Sequence, residues 1–479
     1  MNLNYFLEID NRKKYEIISH LEEYKSTYVN TSMIREINSI SKFKLNQYIN
    51  ELNDEIQDID ELSSIVIQED DEIRVYNIDA FLVKKLRLIY LERSPIYNLF
   101  VEIVNGKLSP TEYANKYFVS RSIAYSYKKQ LVPILSEANL SYERNELIGN
   151  EQDIRNLIFS IYFEFFNGIK SPFNEEEDRK ISGMLDNISA YFQLNLTTTR
   201  KLQLTFYLGI VMKRISRDCY IPTLSSPFFC ISNSLEFMGL SKLITDPSGY
   251  LNSEGQYLFL FLYCQDILSV REKKVKLLVK NDTQYLIDIF FNSLEVEVGM
   301  KNKFNKEAID LFEQQILKIN IKNKFFYTSI ETFSSVHSFL FFIESYPSVI
   351  IPLKETVDSY ARKEKIDDVM LKTRIYYDYL FAFLSVVPAN TLEKKIYICV
   401  DFSHGPNYTK FIAEQISEFK SLNVEIQYRV TARTHLFISD FSLSNVMCEQ
   451  IIWKNPPTAD DWEDFGNTIV KIKQERLNK

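Results

Sequence analysis

Two stretches of this 479-residue chain follow the same local grammar, and their repetition constrains the N-terminal fold more than any other feature. Ile40-Ser41-Lys42 is followed by Tyr48 and Leu52, and Val119-Ser120-Arg121 by Tyr127 and Leu131, every pair 79 residues apart. Ser109-Pro110-Thr111-Glu112, ahead of the second copy, has the form of a capping box with proline at the first helical position. Ala114 is small enough for a close helix crossing. Ser120 can cap a second helix, and the bulky run Lys116-Tyr117-Phe118-Val119 is a natural stop for the first. In that second helix Ile123, Ala124, Tyr127 and Leu131 are expected to face inward. Arg121, Ser122, Tyr125 and Lys129 are expected to face outward, with Lys128 at the edge. Short helix, turn and basic second helix together read as a helix-turn-helix whose second helix enters a major groove. The plainer alternative is an ordinary pair of packed surface helices.

Ahead of the first copy, Asn30-Thr31-Ser32 can cap a helix carrying Met33, Ile34 and Ile37. Leu45, Tyr48, Ile49 and Leu52 then form a helical stripe. "SIVIQEDDEIRVYN" reads as two β-rich runs around an acidic turn, the outline of a wing, and "LSYERNELIG" reads as a smaller one. Two tandem winged helix-turn-helix modules are expected, at 1–77 and 78–150. Their charges differ. Ser120 to Val132 carries Arg121, Lys128 and Lys129 and no acid. The first copy offers Arg35, Lys42, Lys44 and the amide of Gln47, but its helix runs into Glu51, Asp54 and Glu55. Its wing tip is Glu69-Asp70-Asp71-Glu72. Carboxylates beside a phosphate backbone oppose the counterion release that drives most non-specific binding, so the second module is expected to be the better reader of double-stranded DNA.

The whole chain has net charge −8, so any attraction to a polyanion is local. Its length allows several domains of ordinary size. Hydrophobic content of 46%, aromatic content of 14% and only 11 Gly and 13 Pro describe a folded, helix-rich protein with few long loops. The start, "MNLNYFLEIDNRKK", lacks a cationic segment followed by an apolar one, and no apolar run approaches the roughly 20 residues of a membrane span. Five scattered cysteines fit reduced thiols, and a cytoplasmic location is expected. Residues 151–388 read as two helical bundles, 151–275 and 276–388, with a break near "REKKVKLLVKND" and most aromatics in the core. From residue 389 the period changes. "KKIYICV", "VEIQYRV", "HLFISDFSL" and "EQIIW" alternate with two helical segments, which predicts a small α/β domain with a largely parallel sheet. Cys399, Asp401, Ser403 and His404 should lie at the strand ends where such sheets bind ligands.

In this order of domains, and in "SPTEYANKYFVSRSIAYSYKKQL" and "KKIYICVDFSHGPNYTKFIAEQI", the chain resembles the Mga/AtxA virulence regulators of Gram-positive bacteria. The resemblance covers essentially the whole length. It implies a mainly α, multidomain fold: two winged helix-turn-helix modules, two bundles similar to phosphotransferase-system regulation domains (PRD), and a C-terminal EIIB-like α/β domain. It also implies a cytoplasmic transcription regulator or activator that binds AT-rich or curved promoter DNA. Dimerisation through residues 389–479 and control by the phosphotransferase protein HPr are further expectations.

Two departures from the family pattern matter. Regulation domains are switched by histidine phosphorylation, but the four histidines are His20, His337, His404 and His435. The first bundle has none, and His337 is the single candidate in the second, where a packed structural imidazole is the competing reading. In the tail, Cys399 takes the place of an EIIB phosphocysteine, but Val400-Asp401-Phe402 replace the glycines that would cradle phosphate, and Asp401 would repel it. A degenerate domain kept for dimerisation is the stronger reading. There is no GxGxxG, GxxxxGK[ST], HExxH or CxxC, so no cofactor and no enzymatic chemistry are expected. The acids at 460–464 and 175–178 read as first turns of helices rather than as metal ligands. Two functions remain: a DNA-binding regulator, or a phospho-relay component of the phosphotransferase system that binds no DNA.

Overall fold

The computed structural model describes residues 2–24, 29–221, 251–268, 276–298, 304–326, 346–387, 395–419 and 423–477. It divides into two compact units, residues 1–270 with 325–328, and residues 271–324 with 329–479.

In the first unit, helix α1 (Ile9–Glu23) precedes the short strand β1 (Val29–Asn30) and helices α2 (Thr31–Asn38) and α3 (Lys42–Gln57). Asn30 caps α2 by accepting from the Ser32 N–H, and Ser41 caps α3. Leu45, Tyr48, Ile49, Leu52 and Ile56 bury one stripe of α3. Strands β2 (Ser64–Ile67) and β3 (Glu72–Tyr76) follow as an antiparallel hairpin, Ile65 opposite Val75, and β1 adds to the outer side of β3. After α4 (Ala80–Arg93) and α5 (Pro95–Asn105) the same plan returns with α6 (Pro110–Lys116), α7 (Arg121–Glu137) and the hairpin β4 (Ser141–Glu143) and β5 (Glu146–Ile148).

The described remainder of this unit carries the helices α8 (Glu151–Ile161), α9 (Glu175–Phe192), α10 (Thr198–Ile215) and α11 (Leu251–Cys264). Tyr162–Phe166 forms a π-helical turn at the end of α8. Helix α11 ends at Cys264. Four buried charges tie the helices together. Arg155 donates to Glu151 (2.9 Å) and through both terminal nitrogens to Glu254 (2.6 and 2.8 Å). Arg214 donates to both Glu151 oxygens (2.8 and 2.7 Å) and to the Val104 carbonyl at the end of α5 (3.0 Å). Burial works against the charge on both guanidiniums, but the glutamates outweigh it and raise their pKa values. Removing one member would strand a buried charge, which typically costs about 3–5 kcal/mol. The network therefore anchors the second helix-turn-helix to the helices that follow it.

In the second unit, α12 (Lys276–Val298), α13 (Lys306–Phe325), α14 (Pro347–Glu364) and α15 (Val369–Val386) surround an aromatic core. Phe290, Phe312 and Phe383 meet with ring centroids 4.8–5.3 Å apart, so the aromatic wealth of these helices is core packing, as their helical spacing suggested. Helix α12 begins inside the stretch "REKKVKLLVKND", at Lys276.

The tail forms a separate core of its own. Strands β6 (Ile396–Val400), β7 (Val424–Gln427), β8 (Leu436–Ser439) and β9 (Glu449–Ile452) make a four-stranded, all-parallel sheet in the order β7-β6-β8-β9. Helices α16 (Pro406–Ser417) and α17 (Ala459–Leu477) cover it, with Ile398, Ile412, Ile438, Trp453 and Phe465 among the buried residues. The near-continuous apolar strands β6 and β8 are what a parallel sheet covered by helices requires.

Candidate nucleic-acid interface

The two helix-turn-helix turns superpose bond for bond at the 79-residue offset. The Ile40 N–H donates to the Arg35 carbonyl and the Val119 N–H to the Ala114 carbonyl, both at 3.0 Å. The Leu45 N–H reaches Ser41 O (2.9 Å) and the Ala124 N–H reaches Ser120 O (3.1 Å). The cap bonds from the Lys44 and Ile123 N–H groups to Ser41 Oγ and Ser120 Oγ are both 3.2 Å. Even the backbone twist matches, with Ser39 at φ 53° and Phe118 at φ 54°, both left-handed. That left-handed residue stops the first helix of each pair, rather than the bulk of the run 116–119. Schellman-type closure of this kind normally employs glycine or asparagine.

Local packing fixes the second module. Ser109 and Glu112 form a reciprocal capping box, with bonds of 2.7 and 3.1 Å. Ala114 is buried at the crossing. Tyr113 stacks on Tyr117 (4.5 Å) and meets Tyr127 edge-on (6.3 Å). Glu102 on α5 accepts from Lys116 (2.7 Å) and from the Tyr117 hydroxyl (2.8 Å). Partial burial pushes the Glu102 carboxyl up, but these two donors and the Lys116 charge outweigh it and hold the group below its ordinary pKa. The Tyr117 hydroxyl moves the other way, to about 12, through burial and its bond to the glutamate.

On α7, Arg121, Ser122, Tyr125 and Lys129 are exposed, and Lys128 is half-buried with its ammonium 4.6 Å from the Tyr142 ring centroid. Ile123 does not face inward as expected, being 44% exposed. The buried stripe is Ala124, Leu131, Ile134 and Leu135, and one residue's rotation of about 100° turns Ile123 away from Ala124. Among the described residues, no carboxylate pairs with Arg121 or Lys129. Beside the helix, the hairpin tip is the two-residue turn Arg144-Asn145, with φ of 50° and 66°, and it presents an exposed cation.

The first module's candidates are engaged locally. Lys42 Nζ bonds both oxygens of Asp71 at the wing tip (2.7 and 3.0 Å). Lys44 lies 3.6 Å from Asp10, bonds Gln47 Oε1 (3.4 Å) and sits 4.5 Å above the Tyr48 ring. The Gln47 amide donates to Glu51 (2.8 Å). Both lysines already face a carboxylate.

Two further residues, Arg144 and Phe118, stand on this surface. Arg144 is detectable as the tip of a two-residue hairpin, where Asn tolerates positive φ. Phe118, 97% exposed, carries no such signal. His337 lies outside the described residues. His20 Nδ1 lies 3.4 Å from the Asn38 amide, and His435 Nδ1 accepts from the Tyr397 N–H (2.9 Å). In the tail, burial, Asp401 and Cys448 raise the Cys399 thiol to about 11, away from the reactive thiolate. The loop after β6 already satisfies its donor internally, since the Ser403 N–H bonds Asp440 Oδ1 (2.9 Å). Among the described residues, no group of acids, cysteines or histidines is placed to hold a metal ion, and no helix is long and apolar enough to cross a membrane.

The Mga helix-turn-helix domain family matches residues 79–165, from the start of α4 to the π turn. The chain is also 21% identical over 431 residues, covering 84% of each sequence, to a protein of Streptococcus pneumoniae serotype 4 described as a "putative trans-acting regulator". The matched domain surrounds the basic helix α7, and the similarity to that regulator runs along most of the chain.

Proposed function

We propose that this protein is a DNA-binding transcription regulator whose second helix-turn-helix makes the principal duplex contact. The observation that carries the reading is the unopposed basic surface of Arg121, Lys129 and Arg144 within an otherwise acidic chain, inside the segment matched by the Mga helix-turn-helix family. The similarity to a trans-acting regulator agrees with it. Ser122, Tyr125 and Lys128 complete the proposed contact surface. Lys42, Lys44 and Gln47 form a weaker second contact.

The target is AT-rich or curved promoter DNA, whose shape is already part-way to the bound form. Two copies joined through the α/β domain, residues 389–479, would present paired arms and gain by avidity what the acidic body loses. Phosphorylation of His337 by HPr is the proposed input from sugar transport. The thiol of Cys399 has no part in it, and the protein acts in the cytoplasm.

An electrophoretic mobility shift on an AT-rich duplex at two salt concentrations tests the core of this reading. Binding with a steep salt dependence supports it. No binding at either salt would sink it in favour of a phospho-relay component. Promoter activity of His337→Ala and His337→Asp across carbon sources tests the input, and indifference of both to sugar supply would make His337 structural.

A further inference from the structure

Each module carries a large apolar side chain at the leading end of its second helix, and neither is covered. Phe118 stands two residues before the cap of α7 and is 97% exposed. Phe43, the second residue of α3, is 80% exposed. Phe118 also holds a left-handed φ of 54°, which is strained for a bulky residue and which Ser39 supplies in the first copy. Ile123 and Tyr125, in the first turns of α7, are also exposed, at 44% and 54%. Among the described residues, the Phe118 ring makes no aromatic contact. Neither packing nor backbone comfort accounts for a phenylalanine at this position.

A second helix that enters a major groove by its N-terminal end brings its first turn to the base edges. The bulky apolar group on that groove floor is the C5-methyl of thymine. We infer that Phe118, flanked by Ile123, reads thymine C5-methyl groups, so that part of this protein's preference among sequences is direct apolar contact as well as shape. The inference rests on the second module being the DNA reader. It adds the chemical group recognised and the residue that recognises it. Arg121 and Lys129, on the same helix, would supply the phosphate contacts that hold the ring in place.

The test uses the full chain and two duplexes of identical AT-rich sequence, one with thymine and one with deoxyuridine throughout, which removes the methyl and leaves the pairing edge and the charge. The parent protein should bind the thymine duplex more tightly, by about fourfold for each methyl buried. Phe118→Gly suits the positive φ and should melt no lower than the parent, yet bind both duplexes alike with an unchanged salt slope. Phe118→Leu should retain part of the preference. Equal binding of the two duplexes by the parent, or a preference that survives in Phe118→Gly, overturns the inference and leaves the ring for a protein partner. Absence of binding to either duplex at low salt would instead be the failure of the DNA-binding reading itself.

Discussion

The two helix-turn-helix copies share a backbone and differ in what their cations face. Their turn bonds agree within a few tenths of an ångström across a 79-residue offset. In the first copy Lys42 is held by Asp71 and Lys44 stands beside Asp10, while in the second Arg121 and Lys129 have no carboxylate among the described residues. Hydrogen-bonded turn geometry is conserved by local chemistry alone, because caps and closures involve residues within five positions. Electrostatic availability depends on what the rest of the fold brings near. One scaffold can therefore serve as a strong and a weak DNA contact without any change of shape.

Removal of the second module's cations is the severest test of that contrast. Arg121→Ala with Lys129→Ala should flatten the salt dependence of binding by about 1.8, the sum for two phosphate contacts, and weaken binding by about one to two orders of magnitude. Lys42→Ala with Lys44→Ala should cost clearly less, since both lysines would first have to leave a carboxylate. Titration of one duplex at several salt concentrations measures both quantities. Equal losses from the two pairs would mean that the ion pairs of the first module open freely in the complex.

The converse experiment strengthens the weak copy. The Lys42–Asp71 pair is about half exposed on both sides, so it contributes only about 0–1 kcal/mol to folding. Asp71→Asn should therefore leave stability nearly unchanged while releasing the lysine and removing one repelling charge. Affinity should rise by about two- to fivefold and the salt slope steepen by about 0.9, one additional phosphate contact. An unchanged slope would show that the first module does not reach the duplex at all.

What could be read from the sequence divides along the same line between local and distant causes. Ser41, Ser109, Glu112 and Ser120 announce their caps because each acts on a residue three positions away, and the tail announces its sheet by its change of period. The Lys42–Asp71 pair joins residues 29 apart and exists only because the β2–β3 hairpin folds back onto α3. Ile123 turns outward because a four-residue stripe can be drawn through either side of a short helix until the neighbours choose. Phe118 is illegible for a different reason: phenylalanine is no marker of left-handed backbone, so nothing in the residue type signals the turn. The π turn at Tyr162–Phe166 likewise has no proline or glycine to mark it.

The smallest expected effect separates shared architecture from unshared charge. Ser41→Ala and Ser120→Ala each delete one cap bond of the same length, and a lost N-cap typically costs about 1 kcal/mol. Because the chain has two units, a global melt need not report either loss as a single transition. The amides of Lys44 and Ile123 donate the two cap bonds and therefore report each loss directly. Hydrogen exchange at these two amides should accelerate by about the same factor, roughly fivefold, in the respective variants. DNA binding should not follow that symmetry: frayed ends of α7 displace Arg121, the first residue after the cap, whereas frayed ends of α3 displace a lysine already held by Asp71. Ser120→Ala should thus lower affinity measurably and Ser41→Ala hardly at all. Unequal exchange would show that the two turns differ in energy despite matching in geometry, and equal losses of binding would show that the first helix-turn-helix carries as much of the duplex as the second.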